Sequence, residues 1–259
     1  MPIRLELPPT FADQLTDATR PLVGSWVCSG SPMAAEITAG SGVDWILFDG
    51  EHSPIELETM SSLLRAAAPY PATAVVRVPS LDTVFIKQVL DLGAQNIMVP
   101  MVDTPEQAQQ AAAAMFYPPR GVRGIGSALA RSARWNGVPD YLHRAHELVS
   151  LTVQIESVTA VDNAAEIAAV EGVDAVFVGP ADLAASMGLI GQQTHPEVTD
   201  AVLRVFTAVK AAGKRVGVNA FDPAQAKKYA EAGADFVAVT SDVTVLAQGT
   251  RALADQWIG

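Results

Sequence analysis

Two carboxylates, a histidine and an arginine stand where short apolar runs of this sequence end. Glu156 closes the run 148–156 (LVSLTVQIE), and Asp182 follows 173–179 (VDAVFVG) in Gly179-Pro180-Ala181-Asp182. Gln154 and Glu156 are two apart, so on a strand they share a face, while Val153 and Ile155 take the other. Two carboxylates meeting at neighbouring strand ends suit a hard divalent cation such as Mg2+ or Mn2+. Such an ion takes one or two carboxylates and leaves its other positions to water or substrate oxygens. The competing reading pairs Glu156 with Arg77 and leaves Asp182 as an ordinary acid in a helix's first turn.

Asp49, Glu51 and His52 follow the run 43–49 (VDWILFD). His52 is the one of four histidines placed at a strand end, where an imidazole can act as acid or base near neutral pH; otherwise it is a surface loop residue. Arg77 ends 72–78 (ATAVVRV), and a charge buried there is costly unless paired. It suits an anionic substrate or a developing oxyanion, or it bridges to Glu51 or Glu156. The turn "GPADLAASMG" offers backbone N–H groups to a carboxylate or phosphate. His143, His146 and Glu147 have the spacing of a metal motif but precede a strand, and His195 beside Pro196 reads as a loop residue.

These positions require a particular scaffold. Eight β-branched apolar segments recur, at 21–27, 43–49, 72–78, 96–101, 148–156, 173–179, 215–220 and 235–240. Their near-continuous hydrophobicity is that of strands buried on both faces. Ala/Leu-rich helical stretches separate them, at 33–40, 54–67, 82–92, 105–114, 158–169, 181–187, 197–212 and 223–232, and 242–257 closes the chain. Ser53-Pro54-Ile55-Glu56 and Thr104-Pro105-Glu106-Gln107 read as capping boxes, and Asp222-Pro223 as a shorter helix start. Gly93, Gly172, Gly213 and Gly233 read as left-handed helix ends. Eight βα units in 259 residues predict a single (β/α)8 TIM barrel spanning 1–259. An extra N-terminal helix at 10–19 should cross its bottom. A doubly wound sheet would want a Gly-rich phosphate loop after an early strand, and none is there. The long connection 115–146 breaks the rhythm. It reads as an ordered rim loop whose arginines meet an anion or another subunit; its Gly121–Gly126 glycines lack the strand–turn–helix context of a nucleotide loop.

Composition narrows the class. The chain is 49% hydrophobic and carries 28 acids against 17 bases, a net charge of −11. That balance argues against nucleic acid and anionic membrane as partners. No apolar run is long enough for a membrane span, and Met1-Pro2-Ile3-Arg4-Leu5-Glu6 lacks a signal-peptide pattern. One cysteine, Cys28, makes no internal disulfide, so a cytoplasmic location is expected. The five lysines, Lys87, Lys210, Lys214, Lys227 and Lys228, fall on helices or before strand seven. None suits a Schiff base in a barrel mouth, so carbonyl chemistry here should use a metal rather than an imine.

The motifs "FDGEHSP", "VRVP", "VPMVDT", "YPPRGVRGIGS", "QIES" and "GPADLAASMG" occur in order over nearly the whole chain. Together they resemble the class II, metal-dependent 2-keto acid aldolases of the HpcH/HpaI family, the 4-hydroxy-2-oxoheptanedioate and 2-keto-3-deoxy-rhamnonate aldolases among them. The resemblance implies reversible retro-aldol cleavage of a 4-hydroxy-2-keto acid to pyruvate or hydroxypyruvate and an aldehyde. It makes Glu156 and Asp182 the ligands of Mg2+ or Mn2+, with Co2+ or Zn2+ as substitutes. It makes Arg77 the partner of the keto oxygen and His52 the acid/base residue. Asp49 becomes a second acid near it, and Asp91 an aspartate that reaches the histidine of a neighbouring subunit. Gln154 and the turn Gly179, Pro180 and Ala181 become substrate contacts. Trp26, Cys28, Ser127, Val218 and Asn219 are candidates to shape the acceptor pocket, with Cys28 equally a core filler. Candidate acceptors are succinic semialdehyde, lactaldehyde, tartronate semialdehyde and glyceraldehyde; Arg123 favours an acidic or polyhydroxylated one. The resemblance also implies a homohexamer, a trimer of dimers with the last helix swapped between subunits. Two other functions share the scaffold: a citrate-lyase or malyl-CoA-lyase type of enzyme acting on acyl-CoA, and a barrel that binds a keto acid without catalysis.

Overall fold

A computed structural model describes residues 5–259; residues 1–4, which carry part of the signal-peptide expectation, lie outside the described residues. Eight parallel strands close into a barrel in sequence order: β1 (Leu22–Val27), β2 (Trp45–Asp49), β3 (Thr73–Arg77), β4 (Asn96–Val99), β5 (Ser150–Ile155), β6 (Ala175–Val178), β7 (Arg215–Asn219) and β8 (Phe236–Ser241). The helices are α1 (Phe11–Asp17), α2 (Pro32–Ala39), α3 (Leu57–Ala67), α4 (Thr83–Asp91), α5 (Pro105–Met115), α6 (Tyr141–Arg144), α7 (Val158–Asp162), α8 (Ala164–Ala169), α9 (Pro180–Ser186), α10 (Pro196–Ala211), α11 (Pro223–Glu231) and α12 (Asp242–Ile258). Every expected strand is present.

Alternation along the strands sorts the apolar residues into two cores. Ile46, Phe48, Val76, Ile97, Val153, Val178 and Val218 pack outward against the helices. Trp26, Trp45, Leu47, Val75, Met98, Phe177 and Phe236 fill the barrel. Inside, the ring of Phe236 meets those of Trp45 and Phe177 at 5.6 and 5.7 Å. From below, α1 inserts Phe11 against Phe236 at 5.1 Å, and Asn96 Oδ1 accepts its backbone N–H at 2.7 Å. Large rings fit because their neighbours are glycine: a Cβ on Gly217 would lie 2.4 Å from the Phe236 ring, and one on Gly24 would lie 2.2 Å from Trp45.

Local signals held in part. Thr104 and Gln107 form a capping box on α5, Asp222 caps α11, and Gly93, Gly172, Gly213 and Gly233 all have positive φ. The box at Ser53 does not form. There α3 begins at Leu57, and the Ser53 hydroxyl donates to Asp49 Oδ2 at 3.3 Å. The helix expected over 158–169 breaks at Asn163, whose amide nitrogen donates to the Asp103 carbonyl. His195 serves as the N-cap of α10.

The 116–149 connection needs a larger correction. It follows α5 and precedes β5, so it belongs to the barrel's lower end and flank, not to the rim. Gly124 and Gly126 lie against Lys87 and Asp91 of α4, and Arg131 Nη1 donates to the Leu92 carbonyl.

Replacing Gly217 with alanine should therefore overpack the barrel. We expect a loss of about 1–3 kcal/mol in urea unfolding, with the secondary structure unchanged by circular dichroism.

Candidate active site

The C-terminal ends of the strands form the mouth, and register begins its construction. In the β2–β3 ladder Asp49 is the partner of Arg77, so the two side chains start side by side. Arg77 Nε donates to Asp49 Oδ1 at 2.9 Å, and Arg77 Nη1 lies 2.7 Å from Glu51 Oε2. The guanidinium is 4% exposed and stacks 4.2 Å from the Trp26 ring centre. The sequence had left Arg77 between Glu51 and Glu156; the structure pairs it with Glu51 and adds Asp49.

Burial alone would raise the Asp49 carboxyl. The Arg77 bond and the backbone N–H groups of Glu51 and His52 outweigh it and hold Asp49 below the usual carboxylate range. Glu51 goes the other way. Burial raises its carboxyl, and the charges of Asp49 and Asp182 add to the rise against the pull of Arg77 and His52.

Gln154 and Glu156 share a face as expected, and the Gln154 amide donates to Glu156 Oε2. The other oxygen, Oε1, accepts the Met101 N–H at 2.8 Å. Met101 holds a left-handed φ of 54° to make that bond. Gly179 is necessary beside them, because a Cβ there would stand 2.5 Å from Glu156 Oε2. Burial pushes Glu156 up to about 7, and the nearby charges of Glu51 and Asp182 push the same way. Asp182, in the first turn of α9, is exposed to the mouth.

His52 stands at the rim with 66% of its side chain exposed, and its Nε2 is 3.8 Å from Glu51 Oε2. Trp26 Nε1, Gln154 Oε1 and Asn219 Oδ1 are buried without a partner among the described residues. Cys28 is half-buried near Asp49 and Ser53, and burial pushes its thiol up to about 11. Lys210 pairs with Asp235 and Lys214 donates to the Val173 carbonyl, both at the strands' lower ends.

Three residues expected near the mouth lie elsewhere in this chain, and Asp91, expected to serve a neighbouring subunit, lies away from it too. Val218 points outward into the helix layer, since it shares parity with Val216; Asn219 and Gly217 face inward. Ser127 is buried in the lower connection, not at this chain's mouth. Arg123 is fully buried there too, 3.3 Å from Asp91 Oδ1 and 3.4 Å from the Tyr141 hydroxyl, so it offers this mouth no charge for an acceptor. Asp91 ends α4 at the opposite end from His52 of the same chain. Glu51, Met101 and Asn219 are the site residues that sequence reasoning passed over or underweighted. Parity counted from Gly217 points to Asn219; no sequence signal marks Met101.

The donor set fits a hard divalent cation. Glu156 and Asp182 supply carboxylate oxygens, and the unpartnered Gln154 Oε1 lies beside them. No cluster of three or more His, Cys, Asp or Glu among the described residues could cage an ion alone. Two carboxylates with the remaining positions open to water or substrate is the habit of Mg2+ and Mn2+ rather than of a structural zinc.

A carboxyl raised by burial weakens the fold once it ionises. Glu156 favours the fold below the ordinary carboxylate range, and that advantage is lost as pH rises through about 7. In EDTA, Glu156→Gln should match the parent near pH 4 in urea unfolding. Above pH 8 it should exceed the parent by on the order of 3 kcal/mol.

Comparison with known proteins agrees with the geometry. The family model described as HpcH/HpaI aldolase/citrate lyase matches residues 22–249. A 4-hydroxy-2-oxo-heptane-1,7-dioate aldolase of Salmonella paratyphi B is 49% identical over 94% of this chain and 92% of its own. A solved HpcH/HpaI aldolase/citrate lyase family protein from Burkholderia cenocepacia superposes with a TM-score of 0.92 at 40% identity, covering 96% of this chain and 98% of that one. An HpcH/HpaI aldolase from Desulfitobacterium hafniense gives 0.86 at 29% identity, over 95% and 97%. The chain belongs to the HpcH/HpaI aldolase/citrate lyase family and is a carbon–carbon lyase of the aldolase type.

Proposed function

We propose that this aldolase reversibly cleaves a 4-hydroxy-2-keto acid to pyruvate, or hydroxypyruvate, and an aldehyde. The observation that carries the proposal is the meeting of Glu156 and Asp182 beside the buried, carboxylate-held Arg77. The aldolase named in Salmonella supports the substrate class.

Glu156 and Asp182 would hold a divalent cation, Mg2+ or Mn2+. Bound there, it supplies Lewis acidity to the carboxylate and keto oxygens of the substrate. The free N–H groups of Ala181 and Asp182 in the turn orient the substrate carboxylate, and Gln154 contacts the keto acid. A base takes the proton of the 4-hydroxyl, and the C3–C4 bond breaks. Its electron pair passes into the pyruvate enolate, and the aldehyde leaves. Arg77 places its positive charge at the enolate oxygen. C3 then takes a proton, with His52 as the residue that moves it and Glu51 beside the imidazole. Asn219 and Trp26, facing inward with unpartnered polar atoms, shape the acceptor side.

The enzyme would be a cytoplasmic homo-oligomer, a hexamer built as a trimer of dimers. Its partners would be small acids and aldehydes rather than nucleic acid or membrane. No described helix is long and apolar enough to cross a membrane. The helix α12 buries none of its own residues and exposes Leu246, Leu253, Trp257 and Ile258. With α2 it borders an apolar groove of about 560 Å³, lined by Met33, Ile37 and Leu246 among others. A second copy of α12 would cover such a surface. Association would also deliver Asp91 of one copy to His52 of another.

Glu156→Gln or Asp182→Asn should abolish metal-dependent retro-aldol turnover and weaken Mn2+ binding in calorimetry; normal turnover in either would remove it from the ligand set. His52→Ala should cut turnover by roughly two to four orders of magnitude with metal binding intact. Charging the α12 face with Leu246→Glu and Trp257→Glu should lower the mass in light scattering and reduce turnover, while the barrel's melting survives.

A further inference from the structure

The end of the barrel opposite the mouth holds a group of cations that the reaction does not use. Arg131 and Arg134 of the 116–149 connection lie beside Gly93 at the end of α4, and Arg65 of α3 is close enough to Arg131 for its charge to act there. Seven other arginines, Arg20, Arg77, Arg120, Arg123, Arg144, Arg204 and Arg215, have carboxylates at ion-pair distance. Among the described residues Arg251, on the exposed α12, has none, and neither do Arg65, Arg131 and Arg134. Arg131 Nη1 donates to the Leu92 carbonyl at 3.1 Å, and Arg134 Nη1 donates to the carbonyl of Arg131. Backbone carbonyls satisfy those N–H groups without neutralising the charge.

The two guanidinium groups also crowd each other. A Cβ on Gly93 would lie 2.7 Å from Arg131 Nη1 and 3.0 Å from Arg134 Nη1, so both reach over the same glycine. Burial first, and then the charges of Arg134 and Arg65, push Arg131 down to about 10. The backbone that carries Arg134 is itself in an unusual conformation. Arg134, Trp135 and Asn136 are three successive non-glycine residues with φ of 50°, 51° and 64°. L-residues avoid this conformation singly, let alone in sequence. Beside the arginines lies a cavity of about 170 Å³, lined also by Gln14, Tyr70, Thr73 and Asn96. It is too small for a drug-sized ligand and large enough for a tetrahedral oxyanion with a short substituent.

In a chain of net charge −11, clustered cations with no carboxylate call for a counter-charge from outside. Two facing guanidinium forks present more donors than one carboxylate can accept. They match a dianion with three or four oxygens. We propose that Arg131 and Arg134, with Arg65 at the edge, form a binding site for a phosphoryl oxyanion at the barrel's closed end. The ligand is free phosphate or the head of a small phosphate ester.

The test is calorimetric titration of the full-length protein with inorganic phosphate and with glycerol 3-phosphate, at matched ionic strength. EDTA is present throughout, so that the mouth holds no ion that could recruit phosphate. One site per chain is expected. Tighter binding of the ester would identify that source of the phosphoryl group, and tighter binding of inorganic phosphate the other. Arg131→Gln and Arg134→Gln should each weaken binding about tenfold or more, Arg131→Lys should weaken it less, and Glu156→Gln should leave it unchanged. Hydrogen exchange on the unmodified protein covers the case in which a variant does not fold: phosphate should protect amides near 92–95 and 131–137. The proposal is overturned by equal binding in both glutamine variants, by no binding, or by protection confined to 179–183. It is overturned as well if the glutamine variants dissociate the oligomer while phosphate protects nothing, since the arginines would then face another subunit's carboxylates.

Discussion

Arg77 is a cation that the barrel has taken out of water, and the mouth is arranged around keeping it there. An unpaired guanidinium at that depth would cost several kcal/mol. Asp49 and Glu51 prevent this from two sides, and the face of Trp26 closes the third. The pairing has consequences for its partners. Asp49 is held ionised and cannot serve as a proton donor near neutral pH. Glu51 keeps a raised carboxyl in spite of Arg77, because burial outweighs that pull, and it lies close to His52 and to the carboxylates across the mouth. The burial that makes the Arg77 pairing necessary also raises Glu51 beside His52 at the rim and Glu156 near Asp182 inside it.

The barrel separates these demands along its axis. Rings fill the middle and α1 seals the lower end, so the interior is a rigid floor rather than a channel. The charged side chains of the site enter only where the strands stop. There the tolerance is narrow: Gly179 exists without a Cβ so that Glu156 can sit against it, and Gly50 approaches the Arg77 carbonyl so closely that a Cβ would lie 2.7 Å away. Glycine at these two places is a requirement of the site's geometry rather than of any turn.

Much of this was legible in the sequence because it rests on periodicity. Apolar runs punctuated by Gly and Pro specify eight βα units, and alternation alone places Gln154 with Glu156. Alternation would also have chosen Asn219 over Val218, had it been counted from Gly217. Other features have no local signature. The Ser53 cap did not form: α3 starts at Leu57, and the Ser53 hydroxyl turns back to Asp49 at the end of β2. The 115–146 arginines looked like rim residues because length and charge do not reveal which end of a barrel a connection occupies; its place after a helix and before a strand does. Met101 contributes only a backbone N–H, in a conformation its side chain does not favour. Asp91, paired with Arg123 and far from its own chain's mouth, is intelligible only through the family resemblance.

The central claim is that this mouth generates a pyruvate enolate with the help of a divalent cation. Deuterium exchange into the methyl group of pyruvate, followed by NMR, tests it without any aldehyde being chosen. With Mn2+ or Mg2+ present, exchange should proceed well above the protein-free rate. It should stop in EDTA and return when the ion is restored. Exchange that continues undiminished in EDTA would contradict the account and point to an imine at one of the five lysines.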